Sequence, residues 1–176
     1  MRYTIKSGML FSEENHVELA KIKSTLGSSE KAIYAPDGRR LLTADARSSY
    51  TGKKTSGDVR MKEYMLKNQE GEAIATGRPG YAEGDDPAVV GWPIHRLPRT
   101  DHAEILWRGR QWLLIMRSSR YYALSDDENR EVLSIRHRGG LGGWTLEDHY
   151  GFDCGMLCGL FVFCRYIEQE NELLLV

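Results

Sequence analysis

The sequence predicts a single domain, residues 1–176, built as an antiparallel β-barrel of about 10–12 strands around a hydrophobic C-terminal helix at about 153–167. Two observations lead to this prediction. A strand–turn–strand pattern recurs along the chain, as an antiparallel meander requires. One stretch near the end, from Cys154 to Cys164, has no charged residue at all. A segment that is apolar on every side must be buried on every side, and the interior of a barrel provides that environment.

The first part of the chain is ambiguous over residues 12–26. Ser12 is a suitable N-cap for a helix with acidic residues in its first turn. In the alternative, these residues form a loop followed by a strand in which Val17, Leu19 and Lys21 alternate with their neighbours. We interpret the segment as a strand.

Three copies of one hairpin unit follow. In each copy, a strand that contains Tyr enters a polar turn ending at Gly or Asn, and a second short strand follows. Gly and Asn accept a positive φ at little cost, as tight hairpin turns require. The three units are Lys31–Leu42 with its turn at Gly38, Glu63–Ile74 with Gly71, and Arg120–Leu133 with Asn129. A fourth hairpin is predicted at Ile105–Ile115, turning around Gly109.

A proline-rich loop, residues 77–101, separates the second and third units. It holds four of the five prolines of the chain. Because proline cannot donate a hydrogen bond to a sheet, we predict no regular strand here, apart from an edge segment around Ala88–Gly91. A long loop of this kind often carries binding function, and a passive connector is the alternative.

The end of the chain contains four further predicted elements. Gly139–Gly143 is a turn and Trp144–Asp148 a last outer strand. After the apolar segment, Glu168–Glu172 is a polar break, and Leu173–Val176 is a short terminal strand.

The order of these elements resembles the tubby-like superfamily. That family includes the tubby C-terminal domain, the phospholipid scramblases, and the LURP-one-related proteins with their small bacterial relatives. The resemblance rests on the Tyr-bearing hairpins, the late Gly-Trp strand and the apolar C-terminal helix, over roughly residues 30–167. It implies a closed antiparallel barrel of about a dozen strands around a central helix. The chain departs from the pattern in its proline-rich loop and in Asn129, which replaces a glycine.

The length of the apolar segment favours a buried helix over a membrane span. The uncharged run is shorter than the roughly 20 residues that cross a bilayer. Gly155 and Gly159, four positions apart, make one side of the helix narrow. In a membrane such spacing suggests a dimerising face, whereas in a barrel it lets strands approach closely. We therefore predict that the protein is not transmembrane.

Composition limits the partners and the location. The chain is 41% hydrophobic and 28% charged, as globular proteins are, and its formal net charge of −1 predicts no nucleic-acid partner. The N-terminus lacks a signal-peptide pattern, and the three cysteines are predicted to be free buried thiols, which together favour a cytoplasmic location. No Cys or His follows at zinc-site spacing, so we expect neither metal nor cofactor.

No catalytic motif is present, and we predict that the protein is not an enzyme. Asp101-His102 and Asp148-His149 place a carboxylate beside an imidazole, but sequence neighbours on a strand point to opposite faces. Neither a nucleophile elbow nor a phosphate-binding loop occurs. An enzyme that uses the proline-rich loop as a lid is the alternative, and it requires a pocket that joins His95 or His102 to a carboxylate.

Basic pairs supply the candidate site. Arg136 and Arg138 are expected on one exposed strand face about 7 Å apart, with His137 on the other face. Two guanidinium groups so placed can grip a phosphate. The other pairs with this spacing are Arg60 with Lys62, and Arg108 with Arg110. An ordinary solvated strand face is the alternative interpretation.

The resemblance implies a ligand for these pairs, because the tubby domain binds phosphoinositide head groups through basic side chains on adjacent strand positions. We therefore predict a non-enzymatic binding or tethering module for phospholipid or phosphoinositide head groups, or for a protein partner. The alternative is a barrel that binds a small apolar ligand, for which a helix filling the centre would leave no room.

Overall fold

Within the part of the chain that the structure describes, twelve antiparallel strands pair in sequence order and close into a barrel, with β1 paired to both β2 and β12. The computed structural model describes residues 1–25, 27–48, 62–85 and 99–172. The strands are β1 Arg2–Lys6, β2 Met9–Ser12, β3 Glu18–Ser24, β4 Lys31–Tyr34, β5 Arg40–Ser48, β6 Lys62–Lys67, β7 Ala73–Tyr81, β8 Thr100–Trp107, β9 Arg110–Ser118, β10 Tyr121–Ser125, β11 Glu131–His137 and β12 Trp144–Asp148. A short 3-10 helix, Gly139–Leu141, precedes β12, and helix α1 spans Cys154–Glu172. The predicted barrel with one C-terminal helix is confirmed.

The turn chemistry of the hairpins is confirmed as well. Gly38, Gly71 and Asn129 all have a positive φ, of 86°, 85° and 61°. In the fourth hairpin, Arg108 and Gly109 form a two-residue turn with φ of 51° and 71°. Two consecutive positive φ values match the twist of the strands on either side, which is why this turn type is favoured in hairpins.

The N-terminal ambiguity is resolved in favour of a strand. Ser12 ends β2 and caps no helix: its N–H donates to the Val17 carbonyl at 3.1 Å, closing the turn that leads into β3. In β3, Ala20 is fully buried and Lys21 is exposed, so the strand presents alternate residues to the barrel interior.

The prediction of an irregular segment at 77–101 is wrong at both ends. Strand β7 continues through Pro79 to Tyr81, and β8 begins at Thr100. Over the described residues, β7 pairs with β6 only as far as Gly77, and beyond that point its partner is β8 alone. A strand paired on one side tolerates proline, because a missing N–H there breaks no ladder. The predicted segments Ala88–Gly91 and Leu173–Val176 lie outside the described residues.

Helix α1 begins where the sequence predicts but ends five residues later, at Glu172. The Asp153 side chain accepts a hydrogen bond from the Met156 N–H at 2.8 Å and so caps the first turn. The predicted polar break at Glu168–Glu172 is wrong, because Glu and Gln are good helix formers and these residues continue the helix. Among the described residues, no helix has the length and apolarity needed to cross a membrane.

The first turns of α1 fill the barrel. Leu157, Cys158, Leu160 and Phe163 have no exposed surface. Burial raises the pKa of the Cys158 thiol well above its usual value, so this cysteine stays protonated and unreactive. The three cysteines are free, as predicted.

Candidate functional site

The strand connections alternate between two ends of the barrel. We call the end that carries the hairpin turns at 35–39, 68–72, 108–109 and 126–130 the turn end. The opposite end, which carries the connections at 7–8, 119–120 and 138–143, is the loop end. Helix α1 enters at the turn end and finishes at the loop end, because it follows β12 directly.

The structure does not bring the predicted basic residues together. Arg108 and Arg110 lie at the turn end, whereas Lys62 and the Arg136–Arg138 pair lie towards the loop end. Arg60 lies outside the described residues. These positions form at least two separate regions rather than one site.

Arg136 and Arg138 also turn towards different strands. The Arg136 guanidinium lies 4.6 Å from the centre of the Tyr121 ring on β10. Arg138 follows the end of β11 with φ −80° and ψ 13°, so strand alternation does not extend to it. Its guanidinium donates to the Thr4 hydroxyl on β1 at 3.3 Å.

The remaining predicted residues have contacts of their own. Lys62 forms an ion pair of 2.9 Å with Glu170 of α1, and Arg110 forms one of 2.7 Å with Asp127. The hydrogen bond that Arg110 donates to the Asp127 carboxylate raises the pKa of Arg110 and lowers the pKa of Asp127. Both cations are therefore already neutralised by carboxylates.

A cavity of about 560 Å³ opens at the loop end, between α1 and the strands around β12. We call it the loop-end cavity. Its lining brings together two arginines, one histidine, two serines and an apolar floor. The lining residues are Ile5, Ser7, Gly8, Ser119, Arg120, His137, Gly143, Trp144, Phe161, Arg165 and Glu168.

The lining of the loop-end cavity carries an excess of positive charge. Arg165 forms an ion pair with Glu168, one turn further along α1. Arg120 forms no ion pair with any described residue. The Arg120 guanidinium thus has no carboxylate partner in a lining that also contains His137. The cavity is chemically suited to an anion.

Aromatic packing positions the imidazole in this cavity. The His137 ring meets Trp144 edge-on at 5.0 Å between centroids, and Trp144 in turn packs against Phe161 at 5.7 Å. His137 Nδ1 accepts the Gly139 N–H at 3.0 Å. In the neutral ring, Nε2 therefore carries the proton and is the nitrogen able to donate.

Arg120 and Arg165 are not among the site residues predicted from the sequence. Arg165 is the first charged residue after the uncharged run, which marks where a buried helix emerges from its barrel. Arg120 lies in a short connection just before Tyr121. The first of these signals was available in the sequence, but nothing in the sequence shows that the two residues meet at one cavity.

The prediction that the side chains of Asp101 and His102 point to opposite faces is wrong. The Asp101 carboxylate lies 2.7 Å from His102 Nδ1. The register shifts here, with Gly80 opposite His102 and Tyr81 opposite Thr100, so Asp101 is the extra residue of a β-bulge. A bulge interrupts strand alternation and re-aims side chains, which brings the two together.

The Asp101–His102 pair does not line the loop-end cavity. His95, the other histidine that the enzyme alternative invoked, lies outside the described residues. Across the parts of the chain that the structure describes, no group of three or more His, Cys, Asp or Glu side chains is arranged to hold a metal ion.

Comparisons with known proteins add little to this geometry. No protein-family model matches the chain, and no curated protein matches it. The X-ray structure of a protein from Arabidopsis thaliana aligns with 84% of this chain and 88% of that chain, at 10% sequence identity and a TM-score of 0.36. That score is too low to support an argument, so the fold rests on the strand pairing of this chain.

Proposed function

We propose that this protein is a non-enzymatic binding module that holds the anionic head group of a phospholipid in its loop-end cavity. One observation carries the proposal: the cavity combines an uncompensated guanidinium with an apolar floor, although the barrel interior is otherwise filled by α1. Charge beside apolar surface matches a phosphate that is attached to a glycerol and acyl chains.

The chemistry of the lining fits a phosphate diester. The Arg120 guanidinium presents a planar fork of donors, which matches phosphate oxygens. The hydroxyls of Ser7 and Ser119 and the imidazole of His137 offer further donors. The rings of Trp144 provide a surface for the apolar part of the lipid. A volume of about 560 Å³ lies within the usual range of ligand pockets.

The proposal includes membership of the tubby-like superfamily. A closed barrel of twelve strands around a C-terminal helix supports it, together with the order of the hairpins. It also includes a cytoplasmic location, which the free thiols of Cys154, Cys158 and Cys164 support.

Vesicle sedimentation tests the proposal. The protein is mixed with vesicles of phosphatidylcholine alone, or with added phosphatidylserine or phosphatidylinositol phosphate. We expect the wild-type protein to sediment with the anionic vesicles only, and Arg120→Gln to weaken this binding about tenfold, because one charge-assisted contact is lost.

The double variant Arg136→Gln/Arg138→Gln is the matched control, since both side chains lie outside the cavity lining. Unchanged binding by this variant assigns the site to the cavity and removes the strand-pair hypothesis. Failure of the wild-type protein to sediment with any anionic vesicle contradicts the proposal. Competition by a soluble inositol phosphate distinguishes a head-group site from attraction to the membrane surface.

A further inference from the structure

A second cavity, of about 360 Å³, lies at the turn end of the barrel, where α1 begins. It shares no residue with the loop-end cavity. We call it the turn-end cavity. Four of its six lining residues are apolar, and the other two carry opposite charges. They are Leu42, Ile74, Trp107, Arg108, Asp153 and Met156.

The apolar wall of the turn-end cavity is held in place by the core. Leu42, Trp107 and Met156 are all less than a tenth exposed. The Trp107 ring packs against Trp112 at 5.7 Å and Phe152 at 5.5 Å between centroids. A wall fixed in this way is preorganised, so a ligand loses little by ordering it.

Arg108 and Asp153 both have polar atoms that remain available to a ligand. The Arg108 guanidinium stacks over the Trp107 ring at 4.6 Å. Asp153 uses Oδ1 to cap α1, and no described residue forms a hydrogen bond with Oδ2. Neither side chain forms an ion pair with a described residue, and they do not pair with each other.

Two other arginines of the turn end are paired with carboxylates. Arg110 is paired with Asp127 at 2.7 Å, and Arg130 with Asp126 at 2.7 Å. The hydrogen bond from Arg130 lowers the pKa of Asp126, which keeps that partner ionised. In the turn-end cavity, by contrast, neither Arg108 nor Asp153 has an ion-pair partner among the described residues.

We propose that the turn-end cavity binds a zwitterionic small molecule with an apolar side chain, which is the chemistry of an apolar α-amino acid. Arg108 donates to the carboxylate of the ligand, and Asp153 Oδ2 accepts from its ammonium group. The apolar side chain lies against Leu42, Ile74 and Met156. This inference does not rest on lipid binding at the loop end.

Two substitutions remove one charge each while preserving the local backbone. Arg108→Asn creates an Asn-Gly pair in a two-residue turn with positive φ at both positions, which is the favoured sequence there. Asp153→Asn keeps a side-chain oxygen that caps α1. Arg39→Asn, in another turn of the same end, is the matched control.

Calorimetric titration with leucine, methionine and phenylalanine tests the proposal, using the free amino acids, their N-acetyl forms and their methyl esters. We expect the wild-type protein and Arg39→Asn to prefer the free amino acid over either blocked form about tenfold, since each block removes one charge-assisted contact. Asp153→Asn should lose its preference over the N-acetyl form and keep its preference over the ester. Arg108→Asn should show the reverse pattern.

Three results would overturn the proposal. The first is a wild-type protein that binds none of these molecules at millimolar concentration. The second is equal binding of free and blocked forms, which indicates a merely apolar cavity. The third is a preference that neither substitution alters. Vesicle sedimentation of the same variants, which should be unchanged, keeps this test separate from that of the loop end.

Discussion

The two parts of helix α1 are held by different forces. Its first part, Cys154–Cys164, has no charge and is enclosed by the strands. Its last part, Arg165–Glu172, also buries Tyr166 and Ile167, but adds polar contacts, among them an ion pair between Glu170 and Lys62. The first part therefore contributes to the fold through apolar packing alone. The second part contributes both packing and the charged side chains of Arg165 and Glu168 that line the loop-end cavity.

The largest expected effect comes from Gly159, in the apolar part. A Cβ at this position would lie 2.5 Å from Leu66 Cδ1, and Leu66 is itself fully buried. Gly159→Leu should therefore prevent folding, and Gly159→Ala should lower the free energy of unfolding by about 1–3 kcal/mol in urea titration. Gly140→Ala is the control, because that position meets no atom within 4 Å. A Gly159→Leu protein with wild-type stability would show that the helix is not enclosed.

A smaller effect is expected from Asn171, in the polar part. Its side chain accepts from the Thr100 N–H at 3.0 Å and donates to the Thr100 carbonyl at 2.8 Å, which ties the end of α1 to β8. Thr100 is buried, so Asn171→Ala leaves its backbone groups without partners and should cost about 1–3 kcal/mol. The exposed Gln169 provides the control variant Gln169→Ala on the same helix. Equal stability of the two variants in urea titration would show that the hydrogen bonds between Asn171 and Thr100 do not stabilise the fold.

Acidification tests the contacts that surround Tyr166. Its hydroxyl donates to the Ser29 carbonyl at 2.7 Å, and the Ser29 hydroxyl donates to Asp45 at 3.0 Å. Burial raises the pKa of Asp45, but hydrogen bonds from Arg47 and Ser29 and the charge of Lys67 outweigh it, so the net pKa is lowered.

Because the folded pKa of Asp45 is lower than the unfolded value near 4, its contribution is complete above about pH 4 and is lost as the pH falls through the folded value. The free energy of unfolding, measured by urea titration across this range, should fall more steeply for the wild-type protein than for Asp45→Asn. Parallel profiles for the two proteins would refute this assignment.

The smallest effect on stability is expected from Arg165, where the polar part meets the loop-end cavity. Arg165→Gln removes one helical ion pair with Glu168 and should cost only about 0.2–0.5 kcal/mol in urea titration. The same variant should weaken vesicle binding about tenfold if the cavity holds the head group. A large loss of stability would mean that Arg165 contributes more to the fold than one helical ion pair.

The fold was predictable because its signals are local. Alternation within strands, a positive φ at Gly38 or Asn129, and the uncharged run each span a few residues. The end of α1 was predicted wrongly, because Glu168–Glu172 is polar and apolar periodicity stops there. The helix continues because Glu and Gln favour it and because Glu170 and Asn171 contact Lys62 and Thr100, which are distant in sequence.

The candidate site was less predictable than the fold. The loop-end cavity joins residues from β1, β11, β12 and α1, and its position depends on how the barrel closes. The Asp101–His102 contact depends on a register shift opposite Gly80, which no property of the two residues indicates. The prediction from strand alternation is wrong at this position because a β-bulge interrupts the alternation.

Closure of the barrel limits how this protein can meet other macromolecules. Because β1 pairs with β12, each described strand has a neighbouring strand on both sides, and none is an unpaired edge along its whole length. An extended peptide therefore finds little to pair with by strand addition, and copies of the chain have little opportunity to join edge to edge into aggregates. Recognition must instead depend on side chains, on the outer wall or at the two ends.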